Sequence, residues 1–417
     1  LKVKAAKGAI SPELLQQMKQ HKPALLSLLR LRQGRDYPQS FNQAQLWFLD
    51  RLEPKNPRYN NPLAFRIKGA LDQEAMGKAF DLIVQRHSIL RTVFFDHQGE
   101  PRQRVLPESD RALTLIDLQS EPTKLDEIVR TEAQTGFDLE QETAIRAQLI
   151  KLGADEHVLL LNVHHICADG WSIGILVDEI FQAYEGFATG GMPEFTPLPL
   201  QYAEFAETQR NKFSSDEMQR QVDYWRAELS DAPDLLDLPT DRPRPAEQSM
   251  NGAHFRYLID GPLFQEIDNL CQRLRVTPFA IFLAVHALVM GRFSGQSDIC
   301  TGTPLAGRDQ RELEGLIGHF INTVVIRAQF DDQMQFAELV AQMNDKVLPV
   351  AEQANGALDI SPMETDSATA KYDITIELFE NQDNFQLGFE YNSDLFDQST
   401  IESMAHAFTH ALKAVSS

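Results

Sequence analysis

Apolar residues along this chain switch repeatedly between two spacings. Residues 63–68 read as an extended segment, and a helix over about 73–87 follows, with Met76, Phe80, Ile83 and Val84 on one face. Residues 92–95 and 102–106 flank the turn Asp96-His97-Gln98-Gly99-Glu100, the layout of a hairpin. The run 159–163 is continuously apolar, as expected of a strand buried on both faces. A turn then leads to a helix over 172–187, where Ile173, Leu176, Val177, Ile180, Phe181 and Tyr184 recur at helical spacing. Prolines and Gly191 break the pattern over 190–200, and the polar, Pro-rich stretch 238–251 must run over the surface. The order then repeats: a strand (254–259), helices (262–274, 278–293), strands (298–303, 322–330) and a helix (334–350). Strands at 373–378 and 385–391 and a helix from Ser399 close the chain. This predicts two mixed α/β lobes of similar size, with the boundary near residue 198. Ahead of them, a strand (1–6), a turn at Gly8 and a helix (12–31) capped by Ser11 cannot close a core alone; 32–39 reads as a linker.

Composition narrows the function classes. The 417 residues are 43% apolar, enough for a sizeable core in each of two or three domains. With 39 Lys+Arg against 60 Asp+Glu the net charge is −21, which lacks the basic footprint of a nucleic-acid binder and disfavours anionic membranes. Cys167, Cys271 and Cys300 share no metal or redox spacing and their odd number makes no complete disulfide set, so a reducing cytoplasm is expected. The longest apolar run, 279–290, is too short to span a bilayer. The chain opens LKVKAAKG without Met and without a signal-like apolar stretch, as a fragment of a longer protein would.

The densest chemistry lies in HHICADGWS at 164–172, where a buried strand ends and a helix begins. A histidine there sits on rigid backbone, and adjacent strand residues point to opposite faces, so only one of His164 and His165 faces a given cleft. Asp169, four residues after His165, needs a cation or hydrogen-bond donors if buried; Arg86 and Arg91 are the nearest basic candidates. The free N–H groups at the start of the following helix suit developing negative charge. The alternatives are a structural strand-end histidine or a metal site of His164, His165 and Asp169, which adjacent histidines cannot easily make.

The same residues resemble the HHxxxDG motif of condensation domains of nonribosomal peptide synthetases, members of the chloramphenicol-acetyltransferase-like superfamily. Over about 37–417, SFNQAQLWFL at 40–49, RHSILRTVF at 86–94, QYAEFA at 201–206, TGTPLAGR at 301–308 and IGHFINT at 317–323, ending at Arg327, are similar to further motifs of that family. Gln45 stands where the opening motif usually has Arg, and the sixth and seventh motifs are not found. After Asn355 roughly three to four dozen residues of the family pattern are missing, either deleted or outside the chain as a long loop. KAAKGAISPEL at 4–14 through HKPALL at 21–26 resembles the second half of a TubC-type N-terminal docking domain.

The resemblance implies a docking remnant at 1–33, an N-lobe at 37–198 and a C-lobe at 199–417, the lobes forming a V-shaped pseudo-dimer with a central tunnel. It implies transfer of an acyl or peptidyl thioester from an upstream carrier protein, on another polypeptide, to the amine of an aminoacyl thioester on a downstream carrier. Both are held on 4′-phosphopantetheine, with no cofactor or metal bound by the domain itself and no nucleic-acid or membrane partner. An adenylation domain is expected on the same polypeptide. His165 would accept the amine proton or align the nucleophile, and the Gly170 N–H, or those of Trp171 and Ser172, would face the thioester oxygen. Asp169 would pair with Arg91, His164 would anchor the loop, Arg86 would support it, and Trp171, Ser172 and Asn322 would line the substrate path. His164 argues against heterocyclising relatives, which carry Asp there, and the 317–323 segment against epimerising ones. An ester-forming or CoA-dependent acyltransferase, and a non-catalytic module that recruits carrier proteins, remain as alternatives. Carrier proteins are commonly acidic, so their docking should rest on local Arg and apolar patches rather than on net attraction.

Overall fold

The computed structural model describes residues 34–108, 113–212, 215–246, 249, 251–259, 261–308, 310–347, 361–363, 370, 372–381 and 384–416. The strand and helix expected before residue 33, and the expected gap after Asn355, lie outside them. Strand β1 (Arg35–Pro38) leads into helix α1 (Phe41–Leu52). A reciprocal cap starts α1: Ser40 Oγ accepts the Gln43 N–H and Gln43 Oε1 accepts the Ser40 N–H, both at 3.1 Å. Next come β2 (Asn60–Lys68), α2 (Gln73–Arg86), the hairpin β3 (Thr92–His97) and β4 (Glu100–Val105), β5 (Thr114–Asp117), α3 (Leu125–Gln134), β6 (Ile145–Gly153), β7 (Glu156–His164), α4 (Gly170–Ala188) and α5 (Tyr202–Lys212). Then follow α6 (Ser215–Glu228), β8 (Gly252–Ile259), α7 (Pro262–Leu274), α8 (Pro278–Ser294), β9 (Asp298–Leu305), α9 (Arg311–Glu314), β10 (Asn322–Gln329), α10 (Phe336–Val347), β11 (Ser361–Met363), β12 (Ile374–Glu380), β13 (Phe385–Asn392) and α11 (Gln398–Ser416).

The described residues divide into two compact units. The first holds 34–212 together with Ala306–Ile321 and β11. Its main sheet has the order β11-β2-β7-β6-β5, antiparallel except for the parallel β5/β6 pair, and β1-β4-β3 forms a smaller sheet. Strand β7 runs between β2 and β6 and explains its own composition. Leu159, Leu161 and Val163 pack with α2 and α4 residues such as Phe80, Ile83, Leu176 and Ile180, whereas Val158 and Leu160 pack with Leu125 and Ile128 of α3. Burial on both faces removes the apolar/polar alternation of a half-exposed strand.

The second unit, 215–305, 322–347 and 370–416 among the described residues, contains the sheet β12-β13-β8 and the antiparallel pair β9/β10. Ile281, Leu283, Val285 and Val289 of α8 share its core with Phe385, Leu387 and Phe389 of β13 and Met404 and Phe408 of α11. Among the described residues no single helix is long and apolar enough to cross a membrane.

The boundary expected at residue 198 is corrected. Tyr202 of α5 is fully buried in the first unit's core beside Phe320, so the chain leaves that unit only after α5 and returns to it at Ala306. Helix α4 begins two residues before the expected start because Asp169, not a later residue, is its N-cap.

Candidate active site

His164 ends β7 on the face that carries Val158 and Leu160, and its ring is buried, 6.0 Å from that of Phe137 and 6.1 Å from that of Tyr59. Its Nδ1 accepts the Ile166 N–H at 3.1 Å, which ties the ring to the turn that follows. His165 leaves the strand: its own N–H reaches the Tyr59 carbonyl at 2.8 Å, and its ring is half-buried. His165 Nδ1 lies 3.2 Å from the Ala168 carbonyl oxygen. A carbonyl only accepts, so this contact places a proton on Nδ1; when the ring is neutral, Nε2 is then its acceptor nitrogen. Two residues further on, Cys167 is packed under the Ile89 carbonyl, and burial pushes its thiol far up, away from nucleophilic use.

The turn is closed by Asp169, whose side chain is fully buried. Oδ1 accepts the Ser172 N–H at 2.8 Å, the N-cap bond of α4, and lies 3.2 Å from Arg308 Nη2; Oδ2 accepts the Phe320 N–H at 3.0 Å. Arg308 in turn donates to Ser172 Oγ at 2.7 Å and to the Leu316 carbonyl at 2.8 Å, and its guanidinium lies 4.1 Å from the centre of the Phe320 ring. Burial lowers the pKa of Arg308, and the Asp169 charge opposes that shift. With side-chain exposures of 2% and 1%, this is an ion pair held out of water, stabilised by hydrogen bonds to both partners.

The pairing expected for Asp169 is therefore corrected. Arg91 donates instead to the Leu106 carbonyl, and burial lowers its pKa. Arg86 pairs with Glu179 through Nε at 3.0 and 3.1 Å and stacks on Phe195 at 4.9 Å. The cation that meets Asp169 lies 139 positions away in the chain. Ser172, expected along the substrate path, is fully buried: its amide is taken by Asp169, and its Oγ lies 2.7 Å from Asp169 Oδ1 and from the Gly318 carbonyl. Trp171 donates its indole N–H to the Glu314 carbonyl at 3.0 Å. Gly170 has no positive φ, and a Cβ built there meets nothing within 4 Å, so open space rather than crowding surrounds it. Asn322 is exposed at the start of β10, opposite Leu305, in the second unit.

Several groups outside the HHxxxDG string build this site. His319 sits with its ring centre 6.0 Å from that of His165, the planes at 70°. Tyr202 donates its hydroxyl to the His319 carbonyl at 2.6 Å, and burial raises its pKa strongly. Asn42 Nδ2 donates to the Ile321 carbonyl at 2.6 Å, and Gln43 Nε2 to the Ile166 carbonyl at 3.3 Å. TGTPLAGR and IGHFINT are visible as strings, but only the fold shows that their Arg308 and His319 converge on the HHxxxDG turn.

Residues 33–358 and 350–417 match the family model described as the condensation domain, and 1–30 match that of the TubC N-terminal docking domain. The chain is 37% identical to a linear gramicidin synthase of Brevibacillus parabrevis, over 94% of this chain and 9% of that protein. It is 33% identical to phosphinothricin tripeptide synthetase PhsC of Streptomyces viridochromogenes, over 91% of this chain and 39% of that protein. The chain thus spans well under two thirds of the length of these relatives. Among solved structures it is similar to the X-domain from teicoplanin biosynthesis (TM-score 0.78, 24% identity, 91% of this chain and 94% of that one). It is also similar to the epimerization domain from the third module of tyrocidine synthetase B (TM-score 0.77, 15% identity, 92% and 96%). At these identities the likeness is one of fold.

Proposed function

The chain belongs to the condensation-domain family, and from that premise we propose that it forms amide bonds between two carrier-tethered substrates. The observation that carries the reading is the anchored His165 ring, whose contact with Ala168 leaves Nε2 as the acceptor. The acceptor amine attacks the thioester carbon of the donor, its proton passes to His165 Nε2, the C–S bond breaks, and the proton goes on to the departing sulfur. An α-amine with a pKa near 8 is already partly neutral at working pH, so aligning it is as large a part of the task as deprotonating it. The amides of Gly170 and Trp171, the first in α4, have no intrahelical acceptor, and the helix N-terminus favours negative charge where the thioester oxygen would develop it. His164, Asp169 and Arg308 hold the turn and touch no substrate.

The match of 1–30 to a docking domain supports a donor delivered by a separate polypeptide, with the acceptor carrier on this one. The test is a reconstituted assay with loaded donor and acceptor carriers read by intact mass. His165→Ala should lower product formation by about 10²–10⁴-fold, the range for one acid–base group, with the melting temperature unchanged. Full activity in that variant would sink the assignment. Running amine and alcohol acceptors side by side separates amide from ester formation.

A further inference from the structure

We propose that His319 is a positioning residue for His165, holding the imidazole in the orientation that keeps Nε2 aimed at the reacting amine. The inference rests on the amide-forming reading above and adds a residue to it.

The contact from Nδ1 to Ala168 fixes one atom of the His165 ring. A hydrogen bond at one atom sets a distance, but it constrains rotation about that contact only weakly. His319 supplies a constraint of another kind: it packs edge-on against His165, centres 6.0 Å apart and planes at 70°, the geometry aromatic pairs prefer. His319 is itself held tightly, being only 9% exposed. Its carbonyl accepts the Tyr202 hydroxyl at 2.6 Å. On either side, Gly318 N–H donates to Ser172 Oγ at 3.0 Å and Phe320 N–H to Asp169 Oδ2 at 3.0 Å. The backbone that carries His319 is thus tied to the same turn that carries His165, so the separation of the two rings is set by short, buried links. Gly318 cannot be exchanged for a larger residue without movement, because a Cβ there would lie 1.9 Å from the Tyr202 ring. The packing contact is made by the ring itself, so a planar side chain at 319 is what the positioning role requires.

Two variants separate this role from a structural or a proton-carrying one. His319→Ala should lower kcat by about ten- to a hundredfold, the scale of a mispositioned catalytic group, with KM for both loaded carriers unchanged. His319→Phe, which keeps the ring edge, should restore kcat to within about threefold of the parent. Failure of Phe to rescue, or a KM effect as large as the kcat effect, overturns the proposal. A second readout needs no substrate: the order parameter of the His165 ring, read by ¹³C relaxation in histidine-labelled protein, should be the same in the parent and in His319→Phe and should fall in His319→Ala, while the Nδ1–H tautomer set by the Ala168 carbonyl is kept in all three. An unchanged ring order in the Ala variant also overturns the proposal. Because this signal is independent of turnover, an inactive parent domain with the expected spectra would refute the amide-forming reading while leaving the positioning role standing.

Discussion

Asp169 receives hydrogen bonds from Ser172, Arg308 and Phe320, three points in the chain, and this makes it the residue on which the turn depends. Removing one partner of a buried ion pair strands the other charge, so Arg308→Met should destabilise the domain by about 3–5 kcal/mol, measured by urea unfolding. Arg91→Ala should cost much less, since its guanidinium meets a backbone carbonyl rather than a carboxylate; equal losses would show the pairing to be misassigned. That a buried Asp169 needs a donor is legible from its place between a buried strand and a helix. Which donor is not, because nearness in sequence points to Arg86 and Arg91 and the true partner arrives through a later segment. Asp50 gives a pH test of the same kind. Burial pushes its carboxyl up to about 6, against the Lys55 backbone amide, which lowers it. A carboxyl whose pKa is higher folded than unfolded binds more protons in the native state, so its ionisation costs stability as pH rises from about 4 to 6. Asp50→Asn should therefore raise the melting temperature at pH 8 and leave it unchanged at pH 3.5.

Elements are legible where burial imposes a period. The α2 stripe of Met76, Phe80, Ile83 and Val84 is the expected one, and the 159–163 run lies within β7. Helix α1 does not announce itself as a helix, because Trp47 is buried but Phe48 and Leu52 are 60% and 63% exposed, which blurs its apolar face. Helix α6 gives no periodic signal at all, since none of its described residues is buried. The segment around α9 is legible as a motif only; its reason is close packing, seen at Gly318 against Tyr202 and at Gly307, whose φ of 65° puts it in the left-handed region. Gly318→Ala should lower the melting temperature by several degrees, through overpacking of about 1–3 kcal/mol. A melting temperature equal to the parent's would mean that Tyr202 moves freely, contrary to its two hydrogen bonds to Ser40 and His319.

At the scale of the whole chain, a charge of −21 bears on how carrier proteins would approach it. If the carriers are acidic too, long-range repulsion opposes encounter, and salt screens it over a Debye length of about 8–10 Å. Condensation at sub-saturating carrier should then hold steady or rise when ionic strength goes from about 0.02 to 0.2 M; a steep fall would point to docking through net attraction. The two-lobed α/β plan is readable from the repeated order of strands and helices, but the path of the chain is not, because composition shifts at 190–200 and 238–251 and nothing in it marks the return of Ala306–Ile321 to the first unit. That return has a consequence for synthesis on the ribosome. The Asp169 carboxylate emerges 139 residues ahead of Arg308. At about 5–20 residues per second the acid waits roughly 7–28 s for its cation. Until then the HHxxxDG turn lacks the clamp that holds it, so the nascent first unit cannot finish this turn, and a rare-codon pause between residues 215 and 305 would lengthen the interval in which it is open to proteases and chaperones.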